Sequence, residues 1–237
     1  MSQPQHSTVR NRLLKALSAD DFARLQPHLE PIQTELRQVL IAPHVPVTHV
    51  CFMESGFTSI VMQDAGHKVE VGLVGREGLV GAAPVLLGST STPHEHFIQN
   101  AGEALRMDAQ ALLSAVRASP SLHSLLLRYV QTELVQARQT AFTNATYQLD
   151  ARLARWLLMC HDRVAGDELT ITHEFMSMML GTQRSSVTLA TQVLEGNHLI
   201  KAQRGRITVT NRQGLKELAD GSYGTTEAEY ARLIVGD

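Results

Sequence analysis

The chain has 237 residues, 43 % of them hydrophobic, and a formal net charge of −2. That is enough for two modest domains with a sizeable core. No run approaches the roughly 18 apolar residues of a membrane span. The first fourteen residues lack the long apolar stretch of a signal peptide, so the reading is a cytoplasmic protein with no membrane contact. Two cysteines, Cys51 and Cys160, exclude a disulfide scaffold and a four-cysteine zinc or iron–sulfur site supplied by one chain.

Residues 10–29 read as helical, with Ser18 and Asp21 marking a helix start. From about 33 to 107 the texture changes to short apolar runs, VTHVCFM, FTSIVM, KVEVGLV and HEHFIQ, split by ESG, DAGH, GREG and GSTSTP. In KVEVGLV, Val69, Val71 and Leu73 alternate with Lys68, Glu70 and Gly72, the period of a half-buried strand. Several short strands at this spacing fit a β-sandwich, roll or barrel.

Asp108 can cap a short helix, and Pro120 suits the first position of a longer one. No breaker interrupts 120–144, a span of roughly 37 Å if helical. Leu127, Val130, Leu134, Ala137, Ala141 and Asn144 recur at alternating steps of three and four, a heptad seam suited to a partner helix. Small Ala137 and Ala141 permit close approach, and Asn144 can fix register. A second stripe, Leu122, Leu126 and Tyr129, is expected to pack on the β region. A further helix covers QLDARLARWLLMCHDRV, with Leu149, Leu153, Trp156, Leu157 and Cys160 on one face and Gly166 beyond its end. The tail after Leu218, rich in Gly, Thr and Glu, reads as partly loose.

Charge is uneven. Residues 151–216 hold nine cations and five anions, and Arg184, Lys201, Arg204 and Arg206 cluster late. Thr172 can cap a helix, HEFMSMML, with Phe175, Met179 and Leu180 as its apolar positions. Gly181 permits a sharp turn. Thr182 or Gln183 can cap the next helix, whose buried face is expected at Val187, Leu189, Ala190, Val193 and Leu194. Two helices joined by a glycine turn make a helix-turn-helix, whose second helix enters the DNA major groove. Arg184 can then bond guanine O6 and N7 together. Thr182, Gln183, Ser185 and Ser186 can reach bases or phosphates, with Thr188 one turn on and Thr172 opening the preceding helix. Two short strands flank Gln203-Arg204-Gly205, a basic hairpin that reads as a wing, with Lys201, Arg204 and Arg206 as phosphate contacts.

The stretch ITHEFMSMMLGTQRSSVTLATQVLEGNHLIKAQRGRITVT resembles the DNA-binding domain of the Crp/Fnr family, the cyclic-AMP receptor protein superfamily of bacterial transcription regulators. RLARWLLM followed by THEF, MLG and R-x-x-V is the most specific part. FMESG…VEVGLVGREGLVG resembles the sensor domain of one branch. The resemblance covers about 10 to 219. It implies an α+β chain: an N-terminal β-roll of the cyclic-nucleotide-binding jelly-roll type over 1–119, a long dimerisation helix over 120–147, and a C-terminal winged helix-turn-helix over 148–237. It also implies a homodimer on double-stranded DNA at a near-palindromic operator, with RNA polymerase as a further partner. Arg184 falls on the family's guanine-reading arginine and Ser186 on a threonine that supports the phosphate backbone. Ser185 replaces a glutamate and Leu189 a later arginine, so the operator should differ.

Cyclic-AMP-binding members use a Gly-Glu pair and, about ten residues on, an Arg-Ser pair. Here Gly81 is followed by Ala82, and Glu95 and His96 fall near the second pair. A carboxylate at the phosphate position repels an anion, which argues against cyclic AMP bound in the family manner and leaves the effector unnamed. His94 and His96 could face one metal from a strand, but no third ligand is evident and no cofactor is expected. GLVGREGLVG lacks the lysine and hydroxyl of a P-loop. Cys51 and Cys160 read as buried structural residues. No catalytic triad or cleft carboxylate pair points to an enzyme. The alternative to a regulator is an effector-binding module without DNA binding of its own, which the intact Arg184 and basic wing disfavour.

Overall fold

In the computed structural model, residues 3–64 and 66–236 are described, and the chain divides into two compact units. One gathers Met1–Ile60, Val74–Leu134 and Glu229–Asp237; the other gathers Val61–Leu73 and Val135–Ala228. The chain is mixed helix and sheet, with antiparallel sheets first, a long helix, and a C-terminal helix-turn-helix.

The first unit opens on two short helices, α1 (Arg12–Lys15) and α2 (Ala19–Leu25). Ser18 caps α2 by accepting from Asp21 N at 3.1 Å, as the sequence predicts. Strands β1 (Glu30–Thr34), β2 (Val39–Ile41), β3 (His49–Met53), β4 (Phe57–Asp64), β5 (His67–Val74), β6 (Leu79–Val80), β7 (Glu95–Asn100) and β8 (Gly102–Asp108) follow, with α3 (Ala82–Leu86) between β6 and β7. They form sheets of order β1-β8-β3-β6 and β2-β7-β4-β5. Residues alternate across β3: Val50 and Phe52 join the core under the helices, whereas Cys51 and Met53 join Ile41, Val74, Val80 and Ile98. That period of two is the strand signal read in the sequence.

Asp108 accepts from Ala111 N at 2.9 Å and starts α4 (Ala109–Ala118). Pro120 opens α5 (Pro120–Thr146). Leu122, Leu126 and Tyr129 are buried in the first unit's core, as expected of the second stripe. Val130 is buried there too, at 4 % exposure, so it is not on the free seam. Leu127 and Leu134 are exposed, as are Ala137, Ala141 and Asn144. The helix turns by 100° per residue, and a strict seven-residue count drifts from it by about 20° per heptad. Asn144 Oδ1 accepts from Arg152 Nε at 3.1 Å.

In the second unit, α6 (Leu149–His161) is buried continuously from Leu153 to Cys160. Trp156 Nε1 donates to the buried Glu70 carboxylate at 2.7 Å, and Gln136 Oε1 accepts from Leu73 N at 2.6 Å. The distal parts of β4 and β5 thus belong with the helices, a long-range pairing that local pattern does not reveal. Beyond the helix-turn-helix come α9 (Arg212–Leu218) and α10 (Thr225–Tyr230). The tail expected to be loose continues as a π-helical turn, Ala231–Val235. Ile234 is buried in the first unit's core, and Tyr230 donates to the Glu77 carbonyl at 2.7 Å.

Candidate nucleic-acid interface

Helix α7 (His173–Met179) is capped by Thr172, whose Oγ1 accepts from Phe175 N at 3.1 Å. Its buried positions are Met176 and Met179, with Leu180 buried just after it; Phe175 is half-buried. Gly181 then turns at φ +59°, a left-handed conformation costly for other residues. A Cβ there would also press on Val69 Cγ2 at 3.0 Å. Helix α8 (Arg184–Gly196) follows, with Gln183 at its N-cap making no side-chain cap bond.

The inner side of α8 is Val187, Ala190, Thr191 and Leu194. Leu189 and Val193, expected on that face, are 64 % and 46 % exposed. The reason is phase: at 100° per residue, 189 lies about 150° from the centre of the buried stripe. Thr191 takes an inward place instead, its Oγ1 donating to the Val187 carbonyl at 2.8 Å.

Thr188 Oγ1 donates to the Arg184 carbonyl at 2.9 Å and sits 3.1 Å from His173 Nδ1. It ties the start of α7 to the first turn of α8 and is half-buried. Gln183, Arg184 and Ser185 are exposed, Thr182 and Ser186 partly so. Among the described residues Arg184 has no ion pair. Its five donors are therefore not spent within the chain.

The hairpin β10 (Ile200–Gln203) and β11 (Arg206–Val209) turns at Arg204-Gly205, where Gly205 has φ +75°. The strands pair in register Gln203↔Arg206 to Ile200↔Val209, and β9 (Glu168–Leu169) adds a third strand beside β11. Ile200, Ile207 and Val209 bury the hairpin's inner side. Glu195 Oε1 accepts from Ala202 N at 2.8 Å and joins α8 to the hairpin. Lys201 and Arg204 are exposed without an ion pair among the described residues. Arg206 instead bonds Glu168 at 3.0 Å. Both partners are half-exposed, so the pair is weak, but it sets Arg206 apart from Arg204. Sequence reasoning missed Glu168 because it lies 38 residues away.

The residues expected to line an effector pocket lie in the first unit. Gly81, at φ +87°, precedes α3, and a Cβ on it would meet Ile41 Cδ1 at 3.1 Å. His96 on β7 is the Cα partner of the same Ile41. Gly81 and His96 therefore meet at one strand, with Ala82 next in sequence to Gly81 and Glu95 next to His96 on β7. Burial, with His94 adding, pushes the His96 imidazole down to about 4. Its Nδ1 is buried with no partner among the described residues. At neutral pH the imidazole is uncharged. A separate cavity of about 330 Å³ in this unit touches Ile41, Cys51 and Arg106, and its guanidinium is bonded to Glu30 at 2.7 Å. Burial pushes the Cys51 thiol up to about 12, an unreactive state.

Residues 151–218 match the family model of the Crp-like helix-turn-helix domain. The global nitrogen regulator of a Nostoc species is 24 % identical over 185 residues, covering 74 % of this chain and 82 % of that protein. The protein of that name from a Synechocystis species is 24 % identical over 223 residues, covering 89 % and 97 %. The structure of FixK2 from Bradyrhizobium japonicum superposes with a TM-score of 0.68 at 15 % identity, covering 80 % of this chain and 96 % of that one. A Crp/Fnr-family transcriptional regulator from Thermus thermophilus gives 0.64 at 19 %, covering 81 % and 100 %. At such identities the superpositions establish the fold. No described helix is long and apolar enough to cross a membrane. With a Crp-like helix-turn-helix domain over 151–218 and a fold shared with Crp/Fnr regulators, the chain is a DNA-binding transcription regulator.

Proposed function

We propose that two copies of the chain pair through α5 and bind a near-palindromic operator. The α8 helix of each copy lies in the major groove, Arg184 on a guanine, with Gln183, Ser185 and Ser186 alongside. The wing cations Lys201 and Arg204 sit on phosphate. Arg206 contributes less because Glu168 competes for it, and Thr188 and Thr172 act by fixing the helix pair. The observation that carries this reading is the unspent first turn of α8. Arg184 is exposed, with no ion pair among the described residues, on a helix whose Val187, Ala190, Thr191 and Leu194 are buried.

The exposed Leu127, Leu134, Ala137 and Ala141 supply an apolar stripe for the second copy. In the β-roll, none of Gly81, Ala82, Glu95 and His96 is itself a cation at neutral pH, which fits an effector other than cyclic AMP held in the family manner. RNA polymerase is the expected further partner, on the family resemblance. The test of the recognition role is Arg184→Ala, with binding measured to duplexes varied at each guanine. The expected result is an affinity loss of about 1–3 kcal/mol and relaxed preference at one guanine per half-site. Unchanged base preference would refute the assignment.

A further inference from the structure

The outward side of α8 has a composition that the guanine contact does not explain. Its buried stripe is Val187, Ala190, Thr191 and Leu194. At 100° per residue the opposite side is Ser185, Leu189 and Gln192. All three are exposed, and Leu189 is the most conspicuous at 64 %. Val193, 46 % exposed, adjoins it one turn later. A single exposed leucine is ordinary on a protein surface. This one is different in place: it stands at the middle of the side turned away from the helix's own domain, one turn after the Ser185 that opens that side. It has an apolar neighbour, and the polar residues Ser185 and Gln192 flank it along the helix.

A surface that enters the major groove meets base edges. Those edges offer hydrogen-bond donors and acceptors and one apolar group, the C5 methyl of thymine. An aliphatic side chain there cannot bond to guanine, cytosine or adenine, and it can gain by burying against that methyl. We propose that Leu189 reads a thymine in each half-site through contact with its C5 methyl, and so sets part of the operator sequence. The inference rests on the reading of α8 as the recognition helix. Four residues of helix separate Leu189 from Ser185, a rise of about 6 Å. The thymine therefore lies about two base pairs from the position that Ser185 faces, given a base spacing of roughly 3.4 Å. Val193, further along and less exposed, meets the rim of the groove.

The test uses the full chain and a duplex selected from random sequence. Each thymine of the selected site is replaced in turn by deoxyuridine, which keeps the pairing and removes only the methyl. Affinity is measured for the wild-type chain, for Leu189→Ala and for Arg184→Ala. The expected result is one position per half-site at which deoxyuridine weakens wild-type binding about fourfold, from the loss of one buried methyl. In Leu189→Ala the same replacement has no effect. Absence of any deoxyuridine-sensitive position would overturn the proposal, as would sensitivity that persists in Leu189→Ala. If Arg184→Ala relaxes a guanine while no thymine methyl matters, only the Leu189 assignment falls. If Arg184→Ala changes no base preference, or no shared sequence is selected at all, the recognition-helix reading falls and this inference with it. Because Leu189 is exposed, its substitution leaves the fold intact, so a loss of binding is not a loss of structure.

Discussion

The outward side of α8 and the interior of the first unit treat polar groups in opposite ways. On α8, Gln183, Arg184 and Ser185 stand in water with their hydrogen-bonding capacity unspent within the chain. In the first unit, polar atoms are withdrawn from water and left short of partners: His96 Nδ1, Gln99 Nε2 and Glu133 Oε2 are buried with none among the described residues. The first arrangement costs the free protein little and waits for a ligand that brings acceptors. The second carries a desolvation cost in the folded chain, of order 1–3 kcal/mol for each such group. It is therefore the first unit's interior whose stability should follow solution conditions, and the α8 surface whose binding should follow sequence and salt.

Breaking the inner side of α8 should have the largest effect. Leu194 is fully buried, so Leu194→Ala is expected to cost about 2–5 kcal/mol by transfer and cavity terms. Denaturant unfolding checks it, and a cost under 1 kcal/mol would mean the helix is phased differently.

The buried groups of the first unit come next, and they oppose each other with pH. Burial holds His96 at about 4, so between pH 4 and 6.5 the unfolded chain binds a proton that the folded chain refuses, and stability rises with pH. Burial, against a lowering bond from Tyr129 and with Glu77 adding, lifts Glu133 to about 8. Between about pH 4.5 and 8 the folded chain keeps a proton that the unfolded chain has lost, and stability falls as pH rises. Each slope is at most about 1.4 kcal/mol per pH unit. Glu133→Gln should remove the fall above pH 6.5 and expose the rise below it. Unfolding midpoints from pH 4 to 8 that are parallel in the two proteins would sink this account.

Smaller effects belong to the wing. Arg204→Ala should weaken all sequences alike and lower the salt slope by about 1. Arg206→Ala should do less, because Glu168 already holds its guanidinium. Equal slopes for the two variants would show that the Glu168 pair opens on DNA. Smallest of all, Leu189→Ala should change folding stability by no more than about 0.5 kcal/mol, as for an exposed site. The contrast with Leu194 on the same helix fixes which side faces the domain.

Local chemistry was readable along the chain. Ser18, Asp108 and Thr172 cap the helices they precede, Pro120 opens α5, and the basic hairpin closes at Arg204-Gly205. Each is decided within a few residues by a backbone donor or a fixed φ. What was misread depends on partners far along the chain or on helical phase. Leu189 and Val193 look like core residues by type and are turned outward by angle. Val130 fits a heptad count but lies in its own unit's core. Glu168 takes Arg206 from 38 residues away, and Ile234 docks in a core whose other members come before residue 131 and at Tyr230 and Leu233. The candidate effector residues were placed near one another by resemblance. Only the fold revealed that Gly81 and His96 meet at Ile41, and that the imidazole there is neutral.

The central claim is that two α8 helices read one symmetric site. The most direct test is selection of bound sequences from random duplex DNA by the purified full chain with no nucleotide added. The account predicts an inverted repeat whose half-site centres lie one helical turn, roughly 34 Å, apart. Enrichment of a single unpaired half-site, or of no sequence at all, would contradict it.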